Sequence, residues 1–510
     1  MRSTVPERPR PFADLFAGHR LGRLNRVALG LVILTLILLP AADLSITVRD
    51  PWVELQRMAG GLLTPDFARV SAPFEAVGLT VAFALWGVAL GLLAGIPLTL
   101  VFHRCRWIRG FCAALRAVHE LFWALLFLQI FGTSAVTALA AIAVPFAGIF
   151  AKVFAEILDQ LDPAPAHALP HGIGRLSRFL YIEWPQARGQ LLAYVRYRFE
   201  CALRSSLLLG FVGLPTLGFY LESAFRQGRY QEAGAELLIF YLLIGTLRWW
   251  GDRRFLWLLL PISAWLLGPW PDVDPSLAWR FVTHDIWPAP LLNGDPAGLA
   301  QWWTQLPPLG AAIGNTLLLA LMGTSGALIV ALVLWPLVCR HFTGPVRRWL
   351  GAGVLIALRS TPEVLFAFVL LLLTGPSMLP AWIALALHNG ALIAFLVARH
   401  ADELRPGLPD VRGVNLYCWE LLPRVMPGLL ALVFYRAEVI MRETAILGIL
   451  GVATLGFQID SAFAWLHFDT ALFLLIITCL LNLTVDALSR QLRPARTPTA
   501  LSCDTPGPPA

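Results

Sequence analysis

Six charged residues stand inside apolar runs: Arg198, Glu200 and Arg204 in one, Arg436, Glu438 and Arg442 in another. An unpaired charge at the centre of a bilayer costs on the order of a few kcal/mol or more, so such residues are paired or face a pathway. If the first of these helices starts near Gly189, Arg204 lies fifteen residues in, about 22 Å along the axis. In a hydrocarbon core about 30 Å thick, that is deep. Two chemistries fit. Glu200 with Arg204 and Glu438 with Arg442 sit four residues apart on one helix face and can form ion pairs that hold packed helices. Alternatively, Arg198, Arg204, Arg436 and Arg442 line a pathway for an anion, for which the planar guanidinium fork suits an oxyanion. The neighbours differ: Ser205 and Ser206 in one run, Glu443 and Thr444 in the other. One substrate would then meet a hydroxyl-rich face and an acidic face. Gly210, Gly213 and Gly218, with Gly448, Gly451 and Gly456, follow in apolar surroundings, where glycine allows close backbone approach or a helix break lining a cavity. Arg116 with Glu120 and Arg359 with Glu363 read as further structural pairs at the same four-residue spacing.

Catalytic chemistry has no support. The ten histidines show no metal-ligand spacing, and the seven cysteines form no CxxC. Neither a nucleophile with its base nor a glycine loop closing on a lysine occurs, so the sequence predicts no catalytic residue, metal or cofactor, and no ATP hydrolysis by the chain itself.

The chemistry-bearing residues occur twice. Segment 193–225 reads AYVRYRFECALRSSLLLGFVGLPTLGFYLESAF and 431–463 reads ALVFYRAEVIMRETAILGILGVATLGFQIDSAF. Tyr197, Arg198, Glu200, Arg204, Gly210, Gly213, Thr216 and Gly218 recur as Tyr435, Arg436, Glu438, Arg442, Gly448, Gly451, Thr454 and Gly456, always 238 positions on. Upstream, Arg116 and Glu120 recur as Arg359 and Glu363, 243 positions on. The change of offset implies a five-residue deletion, placed after Asp402. This is a fused duplication.

These residues need long membrane helices to hold them. Of 510 residues, 57% are apolar and 14% charged, against about 25% charged in a soluble protein. An ordinary soluble enzyme is excluded, and the net charge of +7 reads as arginine kept on the cytoplasmic face rather than as a nucleic-acid surface. The fold predicted is all-α, a polytopic membrane protein of about twelve spans in two parallel halves related by a pseudo-two-fold axis along the membrane normal. The spans include crossings over about 111–131 and 350–374. The expected organisation is a cytoplasmic tail over 1–26, repeats over 27–254 and 255–493, and a disordered tail over 494–510. Both termini are expected in the cytoplasm of a bacterial inner-membrane protein, with segments 43–73 and 269–310 outside.

The pattern Tyr-Arg-x-Glu-x-x-x-Arg followed by Leu-Gly-x-x-Gly-x-x-x-Leu-Gly, standing as Tyr197–Gly218 and Tyr435–Gly456, resembles the permease subunit of phosphonate-type ABC importers. The closing run Val485–Arg493 is similar to that family's C-terminus. The resemblance covers roughly 75–250 and 311–493, and implies both permease copies of a type I importer joined in tandem. It implies transport of a phosphorus oxyanion such as phosphonate, phosphite or hypophosphite, two partner ATPase subunits, a periplasmic substrate-binding protein and a membrane-lipid surround. Related permeases move amino acids or quaternary amines, and an ion-driven carrier with two six-helix halves is the rival of another class. The resemblance also implies cytoplasmic loops that couple to the ATPases. Gly172, Ile182 and Pro185 fit the loop pattern in the first half, with Ala166, His167 and Ala168 where Glu-Ala-Ala is usual. Leu422 and Pro423 fit its end in the second half, where Asp410 replaces the glycine.

Overall fold

The computed structural model describes residues 21–162, 164–167, 174–251, 253–268, 271, 274–404 and 411–492. Among these, regular structure is helical, without strands. The first half comprises α1 (Leu21–Leu38), α2 (Pro51–Leu63), α3 (Pro73–Val101), α4 (Arg106–Ala117), α5 (Glu120–Phe131), α6 (Ala135–Asp159), α7 (Trp184–Leu208), α8 (Leu217–Arg226) and α9 (Tyr230–Gly245). The second comprises α10 (Arg253–Leu266), α11 (Leu309–Leu334), α12 (Pro345–Ser360), α13 (Glu363–Thr374), α14 (Met378–Glu403), α15 (Leu422–Ile446), α16 (Leu455–Ala464) and α17 (Phe468–Leu492).

Helix starts reproduce the sequence repeat. α5 and α6 recur as α13 and α14 at the offset of 243, while α7, α8 and α9 recur as α15, α16 and α17 at 238. The short helices Arg175–Arg178 and Gly413–Asn415 already share the second offset, so the deletion falls between Glu403 and Gly413. Both hairpin tips are built alike: Ser134 caps α6 by accepting from Thr137 N, and Ser377 caps α14 by accepting from Leu379 N.

Among the described residues six helices are long and apolar enough to cross a membrane, and nine segments qualify when each bent pair counts as one. The shorter α1, α9 and α10 complete six crossings per half by repeat correspondence. α3 and α11 carry apolar residues on every face, as buried or lipid-surrounded helices do. They pack along α6 and α14 respectively. The leading helices are exchanged: α10 lies on α3 of the first half, whereas α1 lies on α11 and α15 of the second.

One expectation fails: the four-residue pairs Arg116–Glu120 and Arg359–Glu363 do not share a helix, because the spans over 111–131 and 350–374 are bent. α4 meets α5 at 90°, and α12 meets α13 at 92°. The cause is local. Pro362 disfavours helical backbone at Thr361 and lacks the N–H that would continue α12. In the first half the His119 ring accepts from Leu121 N at 3.3 Å and caps α5 instead. Arg116 and Glu120 therefore belong to different helices, as do Arg359 and Glu363, and neither pair is an intrahelical ion pair.

Candidate functional site

The two right-angle breaks position the site. A helix that stops leaves its last carbonyls without intrahelical donors and with partial negative charge. Arg204 on α7 donates from Nη1 to the Arg359 carbonyl at 3.3 Å, in the last turn of α12. Arg442 on α15 donates from Nη1 to the Arg116 carbonyl at 2.9 Å, in the last turn of α4. Each deep arginine thus ties its half to the broken helix of the other half. Reciprocity of this kind is what a two-fold-related interface produces.

The intrahelical ion pairs hold only in part. Arg204 approaches Glu200 at 3.8 Å, and the Glu200 side chain is 40% exposed. In the second half Glu438 turns away from Arg442 and accepts from Arg116 Nη1 at 2.9 Å. Arg116 also donates to Asp486 on α17 at 2.9 Å, so one guanidinium serves two buried carboxylates. Arg359, at the corresponding place, lies over the Phe395 ring at 4.3 Å. A small void beside Arg442 is bounded by Arg116, Glu438, Asn482 and Asp486. Arg442 Nε is buried there without an acceptor.

Arg198 and Arg436 also diverge. Arg198 donates from Nε to the Tyr194 hydroxyl at 2.8 Å and is flanked by the rings of Phe146, Tyr194 and Tyr197 at 5.7, 5.2 and 5.6 Å. Arg436 donates from Nε to Asn389 Oδ1 at 2.7 Å and lies 3.6 Å from Glu443. Asn389 stands where the first half has Phe146, and its amide donates to Glu443 at 2.8 Å. Glu443 is joined by His388 and Glu363, all three buried. The sequence reading missed this cluster because its members are scattered over eighty positions, although the polar pair His388-Asn389 inside the apolar run 378–398 was a signal.

The remaining predicted residues are accounted for locally. Ser205 donates to the Cys201 carbonyl at 3.3 Å, and Thr444 to the Met441 carbonyl at 2.8 Å. Ser206 is fully buried, with its hydroxyl unpartnered. The glycines bring backbone onto backbone where α7 bends into α8 and α15 into α16. A Cβ on Gly218 would strike the Leu207 carbonyl, and one on Gly456 the Ala445 carbonyl. Gly210 and Gly448 abut the amides of Phe219 and Phe457 in the same way. Gly213 and Gly451 adopt φ of +85° and +90°, the left-handed region glycine supplies. Each bend is pinned identically, since Leu217 N donates to Thr80 at 3.0 Å and Leu455 N to Thr316 at 2.9 Å.

On the far side of α7 and α15 lie the loops. Ile182 falls in a π-turn over Phe179–Glu183, and Pro185 in the first turn of α7. A π-turn over Leu416–Leu421 precedes Leu422 and Pro423. Tyr181 is 80% exposed, and Trp419, its counterpart at the 238 offset, is 47% exposed. Ala166 and His167 form part of a four-residue helix, Ala164–His167. Ala168, Gly172 and Asp410 lie outside the described residues.

Residues 87–253, which hold the first broken helix and the first deep arginine, match the family described as binding-protein-dependent transport system inner membrane component. That segment carries the family's pattern, and the chain is an ABC-importer permease. It is therefore a multi-pass membrane component of an ABC importer that works with ATPase and substrate-binding partners, and not itself an enzyme. It is 27% identical over 457 residues to the phosphate-import permease protein PhnE of Mycolicibacterium smegmatis, covering 81% of this chain and 84% of that one. The phosphite transport system permease protein PtxC of Stutzerimonas stutzeri is 28% identical over 203 residues, 38% of this chain and 73% of its own length. The putative cryptic phosphonate transport system permease protein PhnE2 of Escherichia coli is 28% identical over 107 residues, 21% of this chain and 88% of its own. No solved structure matches the permease. A relative that spends most of its own length on less than half of this chain is what a doubled permease should find.

Proposed function

We propose that this permease forms the whole membrane pathway of an ATP-driven importer for a phosphorus oxyanion such as phosphonate, phosphite or hypophosphite. The observation that carries the reading is the reciprocal pair Arg204–Arg359 and Arg442–Arg116, which gathers arginine side chains at the seam between two like halves. The names of the relatives, for phosphate import and for phosphite and phosphonate transport, point the same way. Arg198, Arg204, Arg436 and Arg442, with Glu200, Glu438, Ser205, Ser206, Glu443 and Thr444 around them, are the pathway residues in this reading. The repeats over 27–254 and 255–493 each present one loop to one of two ATPase subunits, through Tyr181 and Trp419. A binding protein delivers substrate on the opposite face, and both arginine-bearing termini lie in the cytoplasm.

The test is ATP-dependent uptake in proteoliposomes holding the permease, its ATPases and its binding protein. Phosphite, an alkylphosphonate and hypophosphite are compared with a quaternary amine. At least one oxyanion should be taken up and the amine should not. Glu200→Gln combined with Arg204→Met leaves no unpaired charge and should fold, yet lower oxyanion uptake about tenfold or more, and Arg204→Lys should also lower it because the fork is lost. Full uptake by the neutral double variant would leave these arginines a structural role only.

A further inference from the structure

Among the described residues, Glu363, His388 and Glu443 form a group whose ligand atoms all lie within 4.8 Å of one another, each residue buried. His388 is 3% exposed, and its Nδ1 lies 2.9 Å from the Thr361 carbonyl. A carbonyl only accepts, so Nδ1 carries the hydrogen and Nε2 of the neutral ring is a lone pair. That lone pair faces Glu363 Oε2 at 3.9 Å, too long for a hydrogen bond. The nearby donors are spent on the third member: Asn389 donates to Glu443 at 2.8 Å, and Arg436 lies 3.6 Å from it. No arginine or lysine of the described residues comes within ion-pair distance of Glu363. The Glu363 carboxylate and the His388 lone pair therefore face each other with no side-chain donor between them, beside a Glu443 already held by Asn389 and Arg436, and a cation would join the three.

We propose that Glu363, His388 and Glu443 bind one divalent transition ion of the Zn²⁺ or Mn²⁺ class. One imidazole with two carboxylates suits such borderline N/O chemistry. Two ligand atoms on one ion at a tetrahedral angle stand roughly 3.4 Å apart, so His388 and Glu363, at 3.9 Å, need close by about half an ångström, and a pair at the 4.8 Å limit of the group by about 1.4 Å. The outer contacts are those of a ligating set: the ring is fixed through its other nitrogen, and one carboxylate is held by an amide. The first half carries Glu120, Pro145 and Ser205 at the corresponding positions, so it keeps one ligand of the three. Among the described residues the site occurs once. It is independent of which solute the permease carries.

The test uses the permease with its ATPase subunits, purified without a polyhistidine tag, stripped with chelator and titrated with ZnCl₂. Elemental analysis after desalting should find one Zn²⁺ per permease chain, and Zn²⁺ should raise the melting temperature. Glu363→Gln and His388→Gln should each weaken Zn²⁺ affinity about tenfold or more. Co²⁺ loading of the wild type should give visible d–d bands that Glu363→Gln lacks, which keeps the test decisive if His388→Gln misfolds. His467→Gln, remote from the group, should bind as the wild type does. Binding equal in the wild type and Glu363→Gln, or no stoichiometric ion in the wild type, would overturn the site.

Discussion

The two halves hold equivalent arginines by different physics. Arg198 rests among Phe146, Tyr194 and Tyr197, so aromatic faces and one phenol hydroxyl satisfy its charge. Arg436 is held by Asn389 and Glu443, in a polar pocket that His388 and Glu363 extend. The same division recurs at the broken helices: Arg116 bonds two buried carboxylates, whereas Arg359 lies over Phe395. Yet Arg204 and Arg442 make the same reciprocal bond to a helix end. The backbone frame that the duplication set is kept, while the side chains around it have separated into an aromatic half and an ionic half. A symmetric pair of identical subunits could not divide the work in this way.

The largest effect should come from breaking that division at the broken helices. Arg116→Met strips the guanidinium from Glu438 and Asp486 together, which should cost about 3–5 kcal/mol. Arg359→Met loses a ring contact worth roughly 1–2 kcal/mol. Thermal unfolding followed by size-exclusion of the surviving fraction compares them, and equal losses would mean that the carboxylates are stabilised some other way.

A smaller effect should follow from exchanging the arginine settings. Asn389→Phe gives the second half the residue of the first, but removes an acceptor from Arg436 and a donor from Glu443, at about 1–3 kcal/mol. Adding Glu443→Ser, the first-half residue, should recover part of that loss, because it removes the carboxylate that Asn389 served. A double variant no better than the sum of its singles would show that the two positions act independently.

The duplication and its two offsets were legible because eight polar or glycine matches at one spacing cannot arise from apolar composition alone. The depth of Arg204 and Arg442 was legible for the same reason. Their bonding was not. Four-residue spacing suggested Glu438–Arg442, but a sequence has no means of expressing that α4 ends at Ala117 and offers Arg116 to Glu438 from the other half. The helix breaks were half-written: Thr361-Pro362 is a stop signal, whereas the His119 cap replaces proline with a side chain that rarely reads as one. Glu363, His388 and Glu443 meet only because α13, α14 and α15 pack, and no periodicity along the chain records that.

Smaller again should be the loss on removing one exposed aromatic from each loop. Tyr181→Ala and Trp419→Ala leave the membrane core untouched, so folding should not change. Each should lower substrate-stimulated ATP hydrolysis a few-fold, and the pair together should reduce it further. Unchanged stimulation in both would remove these two side chains from the coupling surface.

The central claim is that one chain supplies both halves of the transporter. Native mass spectrometry of the purified complex measures it directly. The account predicts one copy of the 510-residue chain with two ATPase subunits. Two copies of the chain in each complex would contradict it.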